Sequence, residues 1–275
     1  MKKIVIIPNA TRDPDYIYTK KAETLLQNRG FTTHRFKPSC QNDREDALFQ
    51  DAHAVLVLGG DGTILNAAHF AAKYDVPILA VNLGRLGYIA QLELKDLDSV
   101  ADILDSSFTT EERSMLSVTL RRNGDVIYNC DTALNDAVIG KLNGCGIIEF
   151  ELLANRKTVS FYRGDGMIFA SATGSTAYSM SAGGPVIDPS LSIIEVTPLA
   201  AHSLKVRPIV FSGEQTLDVV ILPSQSNPAL TIDGETTVKL KAGDTVTVTR
   251  SDKVTRLIAY QNDFCHILYQ KMSDL

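Results

Sequence analysis

Ala54-Val55-Leu56-Val57-Leu58-Gly59-Gly60-Asp61-Gly62-Thr63 passes from an unbroken apolar run into a glycine-rich loop, and its reading decides the fold of the first part of the chain. An apolar run bounded by glycines is what a strand covered on both faces looks like in sequence. Past Thr63, Ile64, Leu65, Ala68, Ala71 and Ala72 return at helical spacing, and Pro77-Ile78-Leu79-Ala80-Val81 reads as the next buried strand. Upstream, Ile4 to Ile7 reads as a first strand, Tyr18 to Asn28 as a helix closed by Gly30, and Phe31 to Phe36 as a second strand. This β-α-β-α order implies an open parallel sheet with helices on both faces.

Near residue 113 the texture changes. Short segments rich in Val, Ile, Thr and Tyr alternate with turn signals as far as about residue 260. Leu116 to Arg122 and Val126 to Cys130 flank Asn123-Gly124-Asp125, a strong hairpin signal, and Ile147 to Leu153 and Thr158 to Tyr162 flank Asn155-Arg156. Leu217 to Leu222, Ala229 to Ile232 and Thr245 to Thr249 continue the pattern, with Asp233-Gly234 as a further turn. The fold class is therefore α/β plus all-β: an N-terminal open parallel α/β domain over 1–112, a C-terminal β-sandwich over 113–258, and a helical segment over 259–275 returning to the first domain.

The 275 residues suit two domains, and 44% hydrophobic with 21% charged is an ordinary globular balance. A net charge of −5 gives no basic face for nucleic acid. Met1-Lys2-Lys3-Ile4-Val5-Ile6-Ile7 starts like a signal peptide, but Pro8, Asn9 and Arg12 end the apolar run too early for a secretory core. No stretch approaches the roughly twenty apolar residues of a membrane span, so a cytoplasmic protein without membrane partners is expected. Cysteines 40, 130, 145 and 265 show no CxxC pair, and histidines 34, 53, 69, 202 and 266 show no metal-ligand spacing. The thiols are expected to be reduced, and no zinc site is expected.

In an open parallel sheet, ligands bind beyond the carboxyl ends of the strands, where Gly59 to Thr63 lies. Its glycines let backbone approach an anion, and the helix that follows adds unpaired N–H groups. Asp61 would repel a phosphate unless it binds magnesium or takes a proton from an attacking hydroxyl; the plainer alternative makes it the helix N-cap. GxxxxGK[ST], a GxGxxG after the first strand, and GxSxG are all absent, which removes P-loop, standard dinucleotide and serine-hydrolase readings.

A second constellation runs Arg163-Gly164-Asp165-Gly166, then an apolar strand, then Ser171-Ala172-Thr173-Gly174-Ser175-Thr176-Ala177-Tyr178-Ser179-Met180-Ser181-Ala182-Gly183-Gly184-Pro185. So many hydroxyls among small residues suit hydrogen bonds to ribose and phosphate oxygens, or else a Ser/Gly linker. Asn135-Asp136 interrupts the apolar run Ala133 to Ile139, marking either a turn or a ligand. Asp233-Gly234-Glu235 reads as a hairpin turn, and Gly84-Arg85-Leu86-Gly87-Tyr88 as a second cleft-edge loop or a helix entry.

Taken in order, Gly59 to Thr63, Leu83 to Tyr88, Asn135-Asp136, Asp165 to Ile168, Thr173 to Pro185 and Thr197-Pro198-Leu199 resemble the NAD kinase family over essentially the whole chain. The 173–185 block is specific to that family, whereas the Gly-Gly-Asp-Gly-Thr loop has counterparts in lipid kinases and phosphofructokinases. The resemblance implies transfer of the γ-phosphoryl group of ATP to the 2′-hydroxyl of the adenosine ribose of NAD, giving NADP. It also implies magnesium as the divalent ion, NAD and ATP as small-molecule substrates, and a homo-oligomer, dimer or tetramer. Carried over by motif, Asp61 is the general base with Gly62 beside it against the substrate. Asn135, Asp136, Arg163, Asp165, Thr173, Thr176, Ala177, Tyr178, Ser179, Met180, Ser181, Ala200 and Glu235 fall on substrate-contact positions. The chain departs from the family in four places: Asp136 is a methylene shorter than the usual Glu, Glu235 stands for Gln, Ala172 for Pro and Asp188 for His. None touches Asp61, so substrate preference rather than chemistry is what they put in question.

Overall fold

The computed structural model describes residues 2–37, 47–84, 87–142, 146–203, 205–224, 226–260 and 264–273. Two compact units emerge, Met1–Glu112 with Val254–Leu275, and Arg113–Lys253.

In the first unit, β1 (Lys3–Pro8), β2 (Thr32–Arg35), β3 (Ala54–Gly59) and β4 (Ile78–Asn82) form a parallel sheet in the order β2-β1-β3-β4. The short β5 (Leu92–Glu93) pairs with β4, as does Leu257, which lies opposite Ile78. Helices α1 (Ile17–Asn28) and α2 (Asp61–Ala71) connect the strands. The apolar runs become buried strands: every residue of β3 and β4 is inaccessible. Ile4, Ile6, Leu56, Leu58, Leu79 and Val81 pack with Ala22 and Leu26 of α1 and with Leu97, Val100 and Leu104. Each large aliphatic chain so removed from water contributes about 1.5–3 kcal/mol. A separate aromatic cluster joins Phe36, Phe49 and Phe70, with ring centroids 4.8–5.6 Å apart. The C-terminal helix Phe264–Ser273 belongs to this unit, with Ile267 buried and the Lys271 ammonium 5.0 Å from the centre of the Tyr88 ring.

The second unit is a sandwich. It is built from β6 (Thr110–Arg122), β7 (Asp125–Ala133), β8 (Asp136–Lys141), β9 (Ile148–Ala154), β10 (Lys157–Gly164), β11 (Gly166–Ala170), β12 (Ile193–Leu199), β13 (Ile209–Ser212), β14 (Leu217–Ile221), β15 (Pro228–Ile232), β16 (Thr236–Lys239) and β17 (Thr245–Ile258). One sheet runs β13-β12-β11-β8-β15-β16, antiparallel throughout. The other runs β10-β9-β14-β17, with β6 beside β17 and β7 beside β6. Their inner faces meet in one core, where Val118, Phe150, Leu152, Val219 and Val248 pack with Ile139, Met167, Phe169, Val196 and Leu230. Three hairpin turns carry both central residues in the left-handed region: Asn123-Gly124, Asn155-Arg156 and Asp233-Gly234. That geometry matches the twist of the flanking strands, which is why these dipeptides read as hairpins in sequence.

The return to the first unit comes at Val254, ahead of the 258/259 division read from the sequence. The reason is physical: β17 continues through that point, so there is no turn signal to mark it. Residues 171–185 are no linker. Ser171, Thr173, Gly174, Ser175 and Ser179 are buried, in a 3-10 turn over Thr173–Thr176 and one helical turn over Tyr178–Ser181. Among the described residues no helix is long and apolar enough to cross a membrane. Cys130 and Cys265 are free thiols; Cys40 and Cys145 lie outside the described residues.

Candidate active site

In the first unit, one set of candidate residues lies in loops at the carboxyl ends of β1, β3 and β4. The chain leaves β1 for β2 on one side and returns to β3 on the other, so β1 and β3 flank the reversal point where doubly wound sheets take ligands. Asn9 after β1 bridges it, donating from Nδ2 to Thr63 Oγ1 at 2.9 Å. The Asn9 side-chain oxygen accepts the amides of Thr11 and Arg12, which shapes its own loop. Gly59 is needed because a methyl there would overlap the Thr63 side chain.

Asp61 is the first residue of α2, and Gly60, in extended backbone, is the residue that caps the helix. The N-cap alternative for Asp61 therefore fails. Its half-buried carboxylate leaves the helix and accepts the Tyr88 amide at 2.8 Å, with a longer contact to the Ile89 amide at 3.4 Å. Gly87 makes this possible, since a methyl on it would collide with the Asp61 carboxylate. So Gly87 and Tyr88 lie in a loop against Asp61 rather than in a helix; Arg85 and Leu86 lie outside the described residues. Gly62 is exposed beside Asp61 at the helix start, where amides without intrahelical partners suit an anion.

In the second unit, a separate set lies in the sandwich. Strand β7 ends at Ala133, the chain bends at Leu134 and Asn135, and β8 begins at Asp136. Both polar side chains are buried, Asn135 at 8% exposure and Asp136 at 5%. Ser171 fixes the bend from one side, its Oγ donating to the Leu134 carbonyl at 2.5 Å and its amide to the Asn135 carbonyl at 2.8 Å. Gly174 lies so close to Asn135 that any side chain there would overlap its carbonyl. Asn135 Oδ1 and Thr173 Oγ1 are both buried without a protein partner. A buried polar atom left unsatisfied costs about 1–3 kcal/mol, so these two oxygens, like the similarly unpartnered Glu195 Oε2, are open to a polar partner. Burial pushes the Asp136 carboxyl up to about 7, and the negative charge of Asp233 adds to the shift.

The remaining expected residues divide into groups. Arg163, exposed and paired with Glu149 at 3.1 Å, and Asp165, paired with Lys141 at 2.6 Å, sit where β10 gives way to β11. Ala200 joins them through its turn, for the Asp165 amide bonds the Leu199 carbonyl and the His202 amide bonds the Arg163 carbonyl. Ala200 itself is held at φ 43, an uncommon conformation for a residue with a Cβ. Lys141 ends β8 and Asp136 begins it, so these two groups stand at opposite ends of one strand, roughly 17 Å apart along it. Thr176 and Ala177 are half-buried, and Tyr178, Met180 and Ser181 are exposed. Ser179 faces inward, its hydroxyl 2.6 Å from Glu195 Oε1 and 2.8 Å from Thr197 Oγ1. Glu235 is exposed in the β15–β16 turn.

Sequence reasoning passed over Asn9, Gly87, Asp233 and Glu195 as parts of the site. Glu195 had a signal, a lone acid inside an apolar strand. Its burial raises its pKa against the opposing bonds from Ser179 and Thr197. The Asp233 signal was masked by its place in a good turn dipeptide.

Comparison with known proteins bears on both units. Residues 11–107 match the ATP-NAD kinase N-terminal domain and residues 134–260 the ATP-NAD kinase C-terminal domain. The NAD kinase of Lachnoclostridium phytofermentans is 33% identical over 284 residues, covering 100% of both chains. That of Citrifermentans bemidjiense is 36% identical over 288 residues, covering 99% of this chain and 98% of its own. Among solved structures, yeast NADH kinase complexed with NADH superposes with a TM-score of 0.86 at 19% identity, covering 99% of this chain and 88% of its own. An NAD kinase from Archaeoglobus fulgidus in complex with ATP gives 0.79 at 22% identity, covering 99% of each chain. At those identities the two structures speak to the fold alone.

Proposed function

This chain belongs to the ATP-NAD kinase family and is a phosphotransferase acting on NAD, and from that premise we propose that it moves the γ-phosphoryl group of ATP to the 2′-hydroxyl of the adenosine ribose, giving NADP, with Asp61 as general base. The observation that carries the reading is the Asp61 carboxylate itself, aimed by the Tyr88 amide at the carboxyl end of β3. A carboxylate there accepts the proton of the attacking hydroxyl, while the amides at the start of α2 favour the transferring phosphates. Phosphoryl transfer depends mainly on positioning and electrostatics, which suits a site with many backbone donors and few lysines.

Asn135, Asp136 and Thr173 hold the acceptor in this scheme, supported by their burial and by the two unpartnered oxygens. Gly62, Arg163, Asp165, Thr176, Ala177, Tyr178, Met180, Ser181, Ala200 and Glu235 are proposed as further substrate contacts. Ser179 acts from beneath, anchoring the turn that carries its neighbours on Glu195. Magnesium would be carried on the phosphates of ATP. The described residues hold no cluster of three acidic, histidine or cysteine side chains, and magnesium carried by phosphates needs few protein ligands, so Asp61 is left free to act as the base. Bound there it would offset the charge on the phosphate oxygens. The same proposal has the enzyme working in the cytoplasm as a homo-oligomer.

The test is to incubate the purified protein with ATP, magnesium and one of NAD, NADH or a diacylglycerol. NADP formed from NAD supports the proposal. Phosphorylation of the lipid instead, or dinucleotide binding without ATP consumption, overturns it in favour of a lipid kinase or a sensing module.

A further inference from the structure

The Leu134–Asn135 bend has no regular partner strand, yet all of its backbone polar groups are engaged. Its carbonyls go to Ser171. Its amides go to one side chain far along the chain: the Asp233 carboxylate accepts the N–H of Leu134 at 2.8 Å, of Asn135 at 2.8 Å and of Asp136 at 3.0 Å. The Asp233 amide in turn donates to the Asp136 carbonyl at 3.0 Å. Asp233 reaches the bend because it occupies the first position of the β15–β16 turn, at φ 48, and β15 pairs with β8. Aspartate tolerates that backbone better than most residues, and its side chain ordinarily bonds within its own turn. Here it is spent on another segment.

We propose that Asp233 is a positioning residue for the dinucleotide acceptor, holding the Leu134–Asp136 backbone so that the Asn135 and Asp136 side chains are presented in one fixed arrangement. The inference rests on the reading of that pair as acceptor contacts. Asp233 acts on Asp136 in a second way, through charge. Two carboxylates side by side disfavour double ionisation, so Asp233 helps to keep a proton on Asp136. Burial also raises the Asp233 pKa; the three amide donors oppose that rise and the charge of Glu235 adds to it. Other titratable groups near the pair are Glu235, in the same turn, and Tyr128 on β7 with its neighbour Cys130. The flanking strands place Ala170 opposite Asp136 and Ile232 opposite Ala137, neither of which titrates.

Two variants of the full-length protein separate positioning from charge. Asp233→Ala removes the clamp, and Asp233→Asn keeps the shape and removes the charge. For Asp233→Ala the KM for NAD should rise about tenfold or more, with kcat and the KM for ATP within about twofold. Wild-type affinity for NAD should change with pH around 7, and in Asp233→Asn that inflection should move to lower pH. If Asp233→Ala does not fold, as thermal unfolding would show, Asp233→Asn carries the test alone. An unmoved inflection, or equal losses for NAD and ATP, overturns the role of Asp233 while leaving the kinase reading intact. A wild-type protein that makes no NADP overturns the kinase reading itself.

Discussion

Each unit of this protein places an aspartate at a proposed ligand contact, and the two do it by opposite means. Asp61 is set by its own neighbourhood: a strand end, a glycine on either side, a helix start and a loop only 27 residues on, whose amide it accepts. Asp136 is set from a distance, by a turn 97 residues later in the chain. Asp61 is half-buried with two backbone donors. Asp136 is buried beside a second acid, and burial and that acid push its pKa up to about 7. The contrast separates a carboxylate held by local backbone donors, proposed as the base, from one buried beside a second acid, proposed as an acceptor contact.

The sharpest way to break the comparison is at Asp61. Asp61→Asn should lower kcat about 10²–10⁴-fold and leave the thermal midpoint unmoved, as read by NADP formation and an unfolding curve. Near-normal turnover would remove Asp61 from its role as base. Gly87→Ala is the next step down. Its methyl meets the Asp61 carboxylate, so the fold should survive while turnover falls about a hundredfold, the scale expected of a catalytic group misplaced by about 1 Å. Retained activity with a shifted Asp61 would show that the Tyr88 amide is not what aims the carboxylate.

Asp136→Asn should give the opposite signature. Unfolded, Asp136 titrates near its ordinary 3.8, and folded at about 7, so between those values the folded chain holds a proton that the unfolded chain has released. Stability then falls as pH rises from about 4 to about 7, and the full shift corresponds to roughly 4 kcal/mol. The amide cannot ionise, so the variant should unfold several degrees higher than the wild type at pH 8 and show little difference near pH 4. Its KM for NAD should rise about tenfold. A variant no more stable at pH 8 would mean that Asp136 ionises freely in the fold, and the two aspartates would then differ only in position.

The same contrast explains what the sequence discloses. Everything that positions Asp61 is written within one stretch: apolar run, glycines, helical spacing. The hairpins were equally readable, because Asn123-Gly124 and Asp233-Gly234 announce their backbone through residue type. Asn135 and Asp136 stood out as polar residues in an apolar run, but whether they made a turn or met a ligand was open; the structure shows the bend, and the ligand contact is the proposal made above. What lay out of reach was pairing between distant segments. Nothing near Asp233 says that its carboxylate serves Leu134, and nothing near Gly87 says that its missing side chain makes room for Asp61. Ser179 shows the converse: its motif suggests a ligand contact, while tertiary structure turns the hydroxyl inward to Glu195.

The clamp of Asp233 on the bend also has a consequence in time. During synthesis, every residue that aims Asp61 has been made by residue 89. The amides of Leu134 to Asp136 have nothing to hold them until residue 233 exists and its turn has docked. Contacts of such sequence separation form late, because the intervening chain must first be ordered. A ribosome-bound fragment can therefore contain everything that aims Asp61 and still lack the ordered bend at Leu134 to Asp136.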